Sequence, residues 1–109
     1  GKHCFVEKPL GLGKADSERM EKALTEAGVL FQTGYFNRSK SAFRKIKELI
    51  DTNSFGTISR IRLNNYHAKN LKEGFEGWMW MTNMEQAGVG AFGDLGTHVL
   101  DILLWYNLK

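Results

Sequence analysis

Residues 93–101 read GDLGTHVLD and continue into an apolar segment that ends in two aromatic residues. The apolar spacing predicts a final helix over about residues 91–106, on which side chains four positions apart lie on the same side. Asp94 and His98 therefore project together, and Asp101 lies one turn below His98. A buried carboxylate or imidazole costs free energy unless the two satisfy each other or a ligand does. Because histidine titrates near neutral pH and an adjacent acid can tune it, the pair suggests proton-transfer chemistry.

The first third of the chain predicts a strand, a helix and a second strand. An apolar run over residues 3–6 suits a buried strand, and an apolar stripe between charged residues predicts a helix over about residues 14–27. Gly28 is the natural left-handed residue after that helix, and residues 29–35 read as the second strand. Strand, helix and strand with short connections form a βαβ unit, in which the two strands are parallel.

The rest of the chain predicts a different arrangement. A second helix is expected over about residues 41–51, and a long strand over residues 57–66, where apolar and polar residues alternate. Residues 68–86 read as irregular, although they carry several tryptophan and methionine residues. The change near Tyr35 from an α/β pattern to an α+β pattern indicates the end of one domain and the start of another.

Composition narrows the function classes. The chain has 109 residues, 42% of them hydrophobic, which is typical of a globular protein. Its formal charge of +3 is too small to indicate a nucleic-acid partner, and we read a basic cluster on the second helix as a solvated face: Arg38, Lys40, Arg44, Lys45 and Lys47. The single cysteine, Cys4, excludes an intramolecular disulfide and a zinc-finger spacing, and fits a cytoplasmic protein. No apolar run of membrane-spanning length is evident, so no membrane partner is expected.

Three motifs, in order, resemble one enzyme family. Residues 1–10, GKHCFVEKPL, residues 27–38, which end in GYFNR, and residues 87–101, AGVGAFGDLGTHVLD, are similar to segments of the glucose–fructose oxidoreductase, inositol dehydrogenase and MocA-like family. The resemblance covers essentially the whole chain. It implies an oxidoreductase that transfers a hydride between NAD or NADP and a sugar- or polyol-like alcohol.

The resemblance also implies roles for individual residues. His98 matches the acid/base position, and Asp94 matches a carboxylate that orients the imidazole or binds a substrate hydroxyl. Lys8 matches a lysine whose ammonium hydrogen-bonds the reacting oxygen, so the expected catalytic set is Lys8, Asp94 and His98. The expected cofactor-binding residues are Glu7, Lys8 and Pro9, and the expected substrate-side residues are Asn37, Arg38 and Trp78.

The resemblance implies a division of the chain as well. Residues 1–36 match the C-terminal remnant of a Rossmann-type dinucleotide-binding domain, and residues 37–109 the beginning of an α+β substrate and dimerisation domain. The family's phosphate-binding Gly-x-Gly-x-x-Gly turn has its nearest match in Gly11-Leu12-Gly13, with no third glycine at the required spacing. We therefore expect an internal fragment that is inactive alone and binds no cofactor tightly. A homodimer or strand-exchanged assembly is expected, because a lone long strand needs neighbours.

The residues also admit plainer interpretations. His98 could be a core histidine bonded to a backbone carbonyl, Asp94 a charge that complements the helix dipole, and Lys8 an exposed lysine. A metal site built on Asp94 and His98 has no clear third ligand. The chain as a whole could be a non-catalytic small binding or self-assembly module derived from the same fold.

Overall fold

The computed structural model describes residues 1–68, 76–90 and 92–108. Two strands and four α-helices occur in these residues: β1 (Cys4–Val6), α1 (Lys14–Ala27), β2 (Phe31–Thr33), α2 (Ser41–Asp51), α3 (Met84–Ala87) and α4 (Thr97–Tyr106). Shorter turns lie between them: 3-10 turns at Phe36–Ser39 and Glu76–Thr82, and a π-helical turn at Phe92–Gly96.

The predicted strand, helix and strand are present at the start of the chain. β1 and β2 pair in parallel, with Cys4 opposite Phe31, and α1 forms the connection between them. Gly28 ends α1 in the left-handed conformation, at φ 60° and ψ 34°, which glycine adopts without a side-chain penalty. This confirms the parallel pair, and its assignment to a Rossmann-type domain stays a prediction.

The predicted long strand over residues 57–66 is wrong, because the structure assigns no strand to them. Ile58, Ile61 and Leu63 are half-buried while the residues beside them are exposed, so the alternation correctly indicates which side faces the protein. A strand also needs a partner for its backbone hydrogen bonds. In the described part of the chain the sheet holds β1 and β2 alone, and each pairs with the other rather than with this segment.

The segment predicted to be irregular is partly helical. Residues 76–82 form a 3-10 turn and residues 84–87 form α3, while residues 69–75 lie outside the described residues. The Asn83 side chain accepts a hydrogen bond from the Glu85 backbone N–H at 2.9 Å, which caps α3 at its N-terminus. A short polar cap of this kind was present in the sequence but not recognised.

A continuous last helix is predicted over about residues 91–106, but the structure divides this stretch. Residue 91 lies outside the described residues, and a wider π-helical turn over Phe92–Gly96 precedes α4. A Cβ at Gly96 would come within 2.4 Å of the Phe92 ring, so a larger residue would require that ring to move. The Thr97 hydroxyl donates to the Gly93 carbonyl at 2.9 Å. The spacing of apolar residues therefore does not predict this turn at the start of the helix.

The described core is centred on α4. Ile102 and Tyr106 are almost fully buried, at 1% and 2% exposed, and the polar His98 and Asp101 are buried beside them. The Tyr106 hydroxyl reaches the Phe43 carbonyl of α2 at 3.5 Å. His98 and Asp101 on α4 are therefore held among the most deeply buried of the described residues.

An ion pair joins α4 to the turn after β2. The Arg38 guanidinium donates to both carboxylate oxygens of Asp101, with Nε to Oδ2 at 2.9 Å and Nη2 to Oδ1 at 2.5 Å. The Asp101 side chain is only 6% exposed, and Arg38 also lies 6.0 Å from the centre of the Trp105 ring. A bidentate pair fixes orientation as well as distance. The pair therefore holds the Phe36–Ser39 turn against α4 in one orientation.

Within residues 84–106, a window of 18 residues has a mean hydropathy of 1.2, so length and composition alone would allow this stretch to cross a membrane. No stretch of this kind was expected from the apolar runs of the sequence. Core helices of globular proteins meet the same criterion, and two acidic residues in this stretch, Asp94 and Asp101, are ion paired with Lys8 and Arg38. We therefore take α4, whose buried residues include Ile102 and Tyr106, as a core helix.

We predict that Arg38→Ala lowers the free energy of unfolding by about 2 kcal/mol, because it leaves the buried Asp101 carboxylate without its partner. Urea unfolding followed by circular dichroism measures the change. Arg19→Ala is the matched control, since it removes a pair with Asp16 whose arginine side chain is 81% exposed, and should cost less than about 1 kcal/mol. Equal losses in the two variants would contradict the structural role of Arg38.

Candidate active site

Lys8 and Asp94 meet at the point where β1 ends. The Lys8 ammonium donates to Asp94 Oδ1 at 2.6 Å and to the Asp94 backbone carbonyl at 2.8 Å. Lys8 precedes a cis peptide bond to Pro9, and Pro9 in turn lies against Gly93, where a Cβ would approach its ring to 3.6 Å. The lysine side chain is 14% exposed and the aspartate 25%. Lys8 is therefore not the exposed lysine of the plainer interpretation.

The second oxygen of Asp94 is also held. His67 Nε2 lies 3.2 Å from Asp94 Oδ2, so the carboxylate bridges an ammonium and an imidazole. Burial raises the pKa of the Asp94 carboxyl, but the hydrogen bonds and charges of Lys8 and His67 outweigh it and leave that pKa below its usual value. Asp94 is consequently ionised near neutral pH and accepts hydrogen bonds only.

His98 occupies an aromatic enclosure on α4. It is 7% exposed, and its ring lies edge-on to Tyr35 and Phe36, with ring centres 5.8 and 5.1 Å away. Its buried Nδ1 has no hydrogen-bond partner in the described structure. The orphaned nitrogen argues against a purely structural histidine, since buried polar atoms normally find partners.

Burial is the main influence on the pKa of His98 and lowers it below the usual 6.5. The positive charges of Lys8 and Lys40 also lower this pKa. The carboxylates of Asp94 and Asp101 raise it, but not enough to offset burial and the two lysines together. The imidazole is therefore neutral near pH 7 and available to accept a proton. The expectation that Asp94 and His98 lie on the same side of one helix is modified, because Asp94 belongs to the preceding turn and bonds to Lys8 and His67.

Two cavities open onto these residues. Lys8 and Asp94 line a cleft of about 340 Å³ together with Pro9, Trp80 and Met81. A smaller cavity of about 140 Å³ is lined by the following residues, among others: His98, Asn37, Lys40 and Asn65. The three candidate catalytic residues are close enough to interact electrostatically, but His98 lines a different cavity from Lys8 and Asp94.

The remaining predicted site residues are placed as follows. Glu7 lies against Gly34, where a Cβ would come within 2.8 Å of its carboxylate, and lines a third cavity of about 510 Å³ with Arg38. Asn37 lies beside the His98 cavity. Trp78 is 54% exposed, whereas Trp80 from the same turn lines the Lys8 cleft. In the described residues no group of three potential metal ligands occurs.

Two features escaped the sequence analysis. His67 is 27 positions away from Asp94, and no local pattern links residues so far apart. Gly88, Gly90 and Gly93 have the Gly-x-Gly-x-x-Gly spacing. They match the motif more fully than Gly11-Leu12-Gly13, the match given from the sequence. This triplet follows α3 instead of a strand, so it lacks the context of a dinucleotide-binding turn.

Comparisons with known proteins agree with one another. Residues 43–107 match the family model described as the GFO/IDH/MocA C-terminal domain. The chain is 29% identical to Oxidoreductase P35 of Formosa agariphila over 97% of its own length and 33% of that protein. It is 36% identical to the myo-inositol 2-dehydrogenase of Thermotoga maritima over 59% of its own length and 19% of that protein.

Solved structures give the same result. The scyllo-inositol dehydrogenase of Lactobacillus casei, crystallised with NAD(H) and scyllo-inositol, is similar with a TM-score of 0.74 and 26% identity. The similarity covers 95% of this chain and 30% of that enzyme. The chain therefore spans about a third or less of the length of these relatives.

We predict that His98 titrates below pH 6.5, its usual value. As the pH falls through 6.5, the unfolded chain takes up a proton at this position before the folded chain does, so the free energy of unfolding decreases. That contribution is fully regained above pH 6.5. NMR of the imidazole C–H signals gives the pKa directly, and the acid-side loss of stability should shrink in His98→Gln. A His98 signal that titrates at or above 6.5 would contradict the buried, neutral imidazole.

Proposed function

Because the chain belongs to the GFO/IDH/MocA family, we propose that it carries the acid–base residues of an NAD(P)-dependent oxidoreductase. The reaction is hydride transfer between the nicotinamide ring and a sugar- or polyol-like alcohol. The ion pair of Lys8 and Asp94, next to a buried neutral His98, is the observation that carries the proposal. Inositol dehydrogenases among the relatives support a polyol as the substrate.

Oxidation of a carbinol removes a hydride from carbon and a proton from oxygen. The cofactor, when bound, supplies the hydride acceptor. In our proposal the neutral His98 accepts the hydroxyl proton, since its lowered pKa keeps it unprotonated near neutral pH. Lys8 donates a hydrogen bond to the same oxygen and stabilises the negative charge that develops there. Asp94 holds the ammonium in place.

The residues present fit one end of the cofactor. The cleft beside Lys8 has an apolar wall of Pro9, Trp80 and Met81, which suits the flat face of a nicotinamide ring. The orphaned Nδ1 of His98 suits a polar ligand beside this residue, which lines the smaller cavity. No glycine turn follows β1 or β2 with the spacing needed for the pyrophosphate. We therefore propose that Lys8 and Pro9 contact the nicotinamide end. Glu7 is proposed with them on the family resemblance alone, because its side chain lines the cavity beside Arg38.

The domain division belongs to the same proposal. Residues 1–36 would complete a dinucleotide-binding domain and residues 37–109 would begin the substrate domain. The family model for the C-terminal domain supports this boundary, because its match begins at residue 43. The two parts meet at the Lys8–Asp94 ion pair. Within the second part, the Arg38–Asp101 ion pair holds the turn that carries Asn37 against α4, and Asn37 lines the same cavity as His98.

A chimera tests the proposal, with this chain replacing the matching part of the Lactobacillus casei scyllo-inositol dehydrogenase. We predict polyol-dependent formation of NADH or NADPH, and a loss in kcat of roughly 100- to 10,000-fold in His98→Ala and Lys8→Ala, as expected on removing acid–base groups. Lys14→Ala is the control, since that side chain is 87% exposed and should leave kcat unchanged.

Circular dichroism and cofactor fluorescence establish that each chimera is folded and binds the cofactor. Turnover that survives in both the Lys8 and the His98 variants would remove these residues from the mechanism. A folded, cofactor-binding chimera that oxidises no sugar or polyol would remove the proposed substrate class.

A further inference from the structure

We propose that His67 is a positioning residue for the active site, which holds the second carboxylate oxygen of Asp94 so that the first stays on the Lys8 ammonium. Its role in the reaction rests on the proposed function, whereas the contact itself does not. Neither the motifs nor the residue patterns of the sequence indicated this histidine.

The contact fixes a group that would otherwise rotate. Lys8 reaches Asp94 Oδ1 at 2.6 Å and the Asp94 carbonyl at 2.8 Å, and both bonds leave Oδ2 without a tether. His67 Nε2 lies 3.2 Å from Oδ2. A carboxylate held at both oxygens cannot turn about its Cβ–Cγ bond without breaking one of the two contacts. Because an ionised carboxylate only accepts hydrogen bonds, Nε2 is the ring nitrogen that carries the proton.

A second hydrogen bond holds the segment that carries His67 against the turn that carries Asp94. The Asn65 side-chain amide donates to the Leu95 carbonyl at 3.2 Å. Asn65 lies two residues before His67, and Leu95 follows Asp94 directly. Two side chains of the 57–68 segment thus contact neighbouring residues of the turn that precedes α4. The His67 side chain is 27% exposed, so its bond to Asp94 is partly shielded from water and correspondingly stronger.

Several charges share this neighbourhood. Asp94 is faced by Lys8, by His67 and, from α4, by His98. His98 is additionally influenced by Asp101 and Lys40. Removal of His67 therefore acts first on Asp94, next on the Lys8 ammonium bound to it, and only through them on His98. The expected signature is a change in kcat and in its pH dependence, with a smaller change in KM.

Three variants separate the hydrogen bond from the space that the ring fills. His67→Phe keeps a ring and removes the donor, while His67→Gln places an amide N–H near the position of Nε2 and should restore the bond. Tyr66→Phe is the control, because Tyr66 is adjacent and 86% exposed. Carbon-detected NMR follows the Asp94 carboxyl through a pH titration of the 109-residue chain, without cofactor or substrate. The chimera reports kcat and KM.

We expect His67→Phe to raise the pKa of Asp94, with His67→Gln and Tyr66→Phe close to the parent chain. In the chimera, His67→Phe should lower kcat by roughly ten- to a hundredfold, the range found when a partner that orients a reacting group is lost, and shift the acid limb of the kcat profile to higher pH. His67→Gln should recover most of this loss.

An Asp94 titration that is unchanged in His67→Phe overturns the proposal, whether or not the chimera is active. A raised Asp94 pKa with unaltered kcat also overturns it, since the contact would then have no part in positioning. If the chimera shows no turnover at all, the proposed function fails while the titration still decides whether His67 holds Asp94. If His67→Phe does not fold, Asn65→Ala loosens the same segment and must raise the Asp94 pKa in the same direction.

Discussion

The ion pair between Lys8 and Asp94 is the constraint on which the candidate site depends. It connects residues 86 positions apart, one at the end of β1 and the other in the turn before α4. The pair forms one wall of a cleft, keeps Asp94 ionised, and places a positive charge near His98 that favours the neutral imidazole. Together with the contact of Pro9 with Gly93, it holds the end of β1 against the turn that begins the last helix.

The site retains polar groups where apolar ones would be easier to bury. Asp101 is buried against Arg38, and the Nδ1 of His98 is buried without a partner, which costs about 1–3 kcal/mol. Removing charges from water offsets much of the attraction between them, so buried ion pairs are weak evidence for stability. The arrangement is better explained by positioning, since local rules of folding are broken most often at functional sites.

The parts of the fold that depend on local sequence were predictable. Helices α1 and α2 have the bounds that their apolar stripes and end residues indicate, and the short connections around α1 led to the parallel pair. The supposed strand over residues 57–66 failed because periodicity gives a face but not a partner. The π-helical turn at Phe92–Gly96 was not predicted, because it depends on how Phe92 packs over Gly96. Among the site residues, Lys8, Asp94 and His98 came from motifs, while His67 required a long-range contact that only the structure provides.

A double-mutant cycle on the unfolding free energy tests the Lys8–Asp94 interaction most directly, with Lys8→Met, Asp94→Asn and the combination of both. We predict that the two changes are non-additive, with a coupling of more than about 1 kcal/mol, as expected for contacting and largely buried partners. Additive effects, with a coupling near zero, would mean that the amine and the carboxylate do not hold the two ends of the chain together, and would contradict the account of the site.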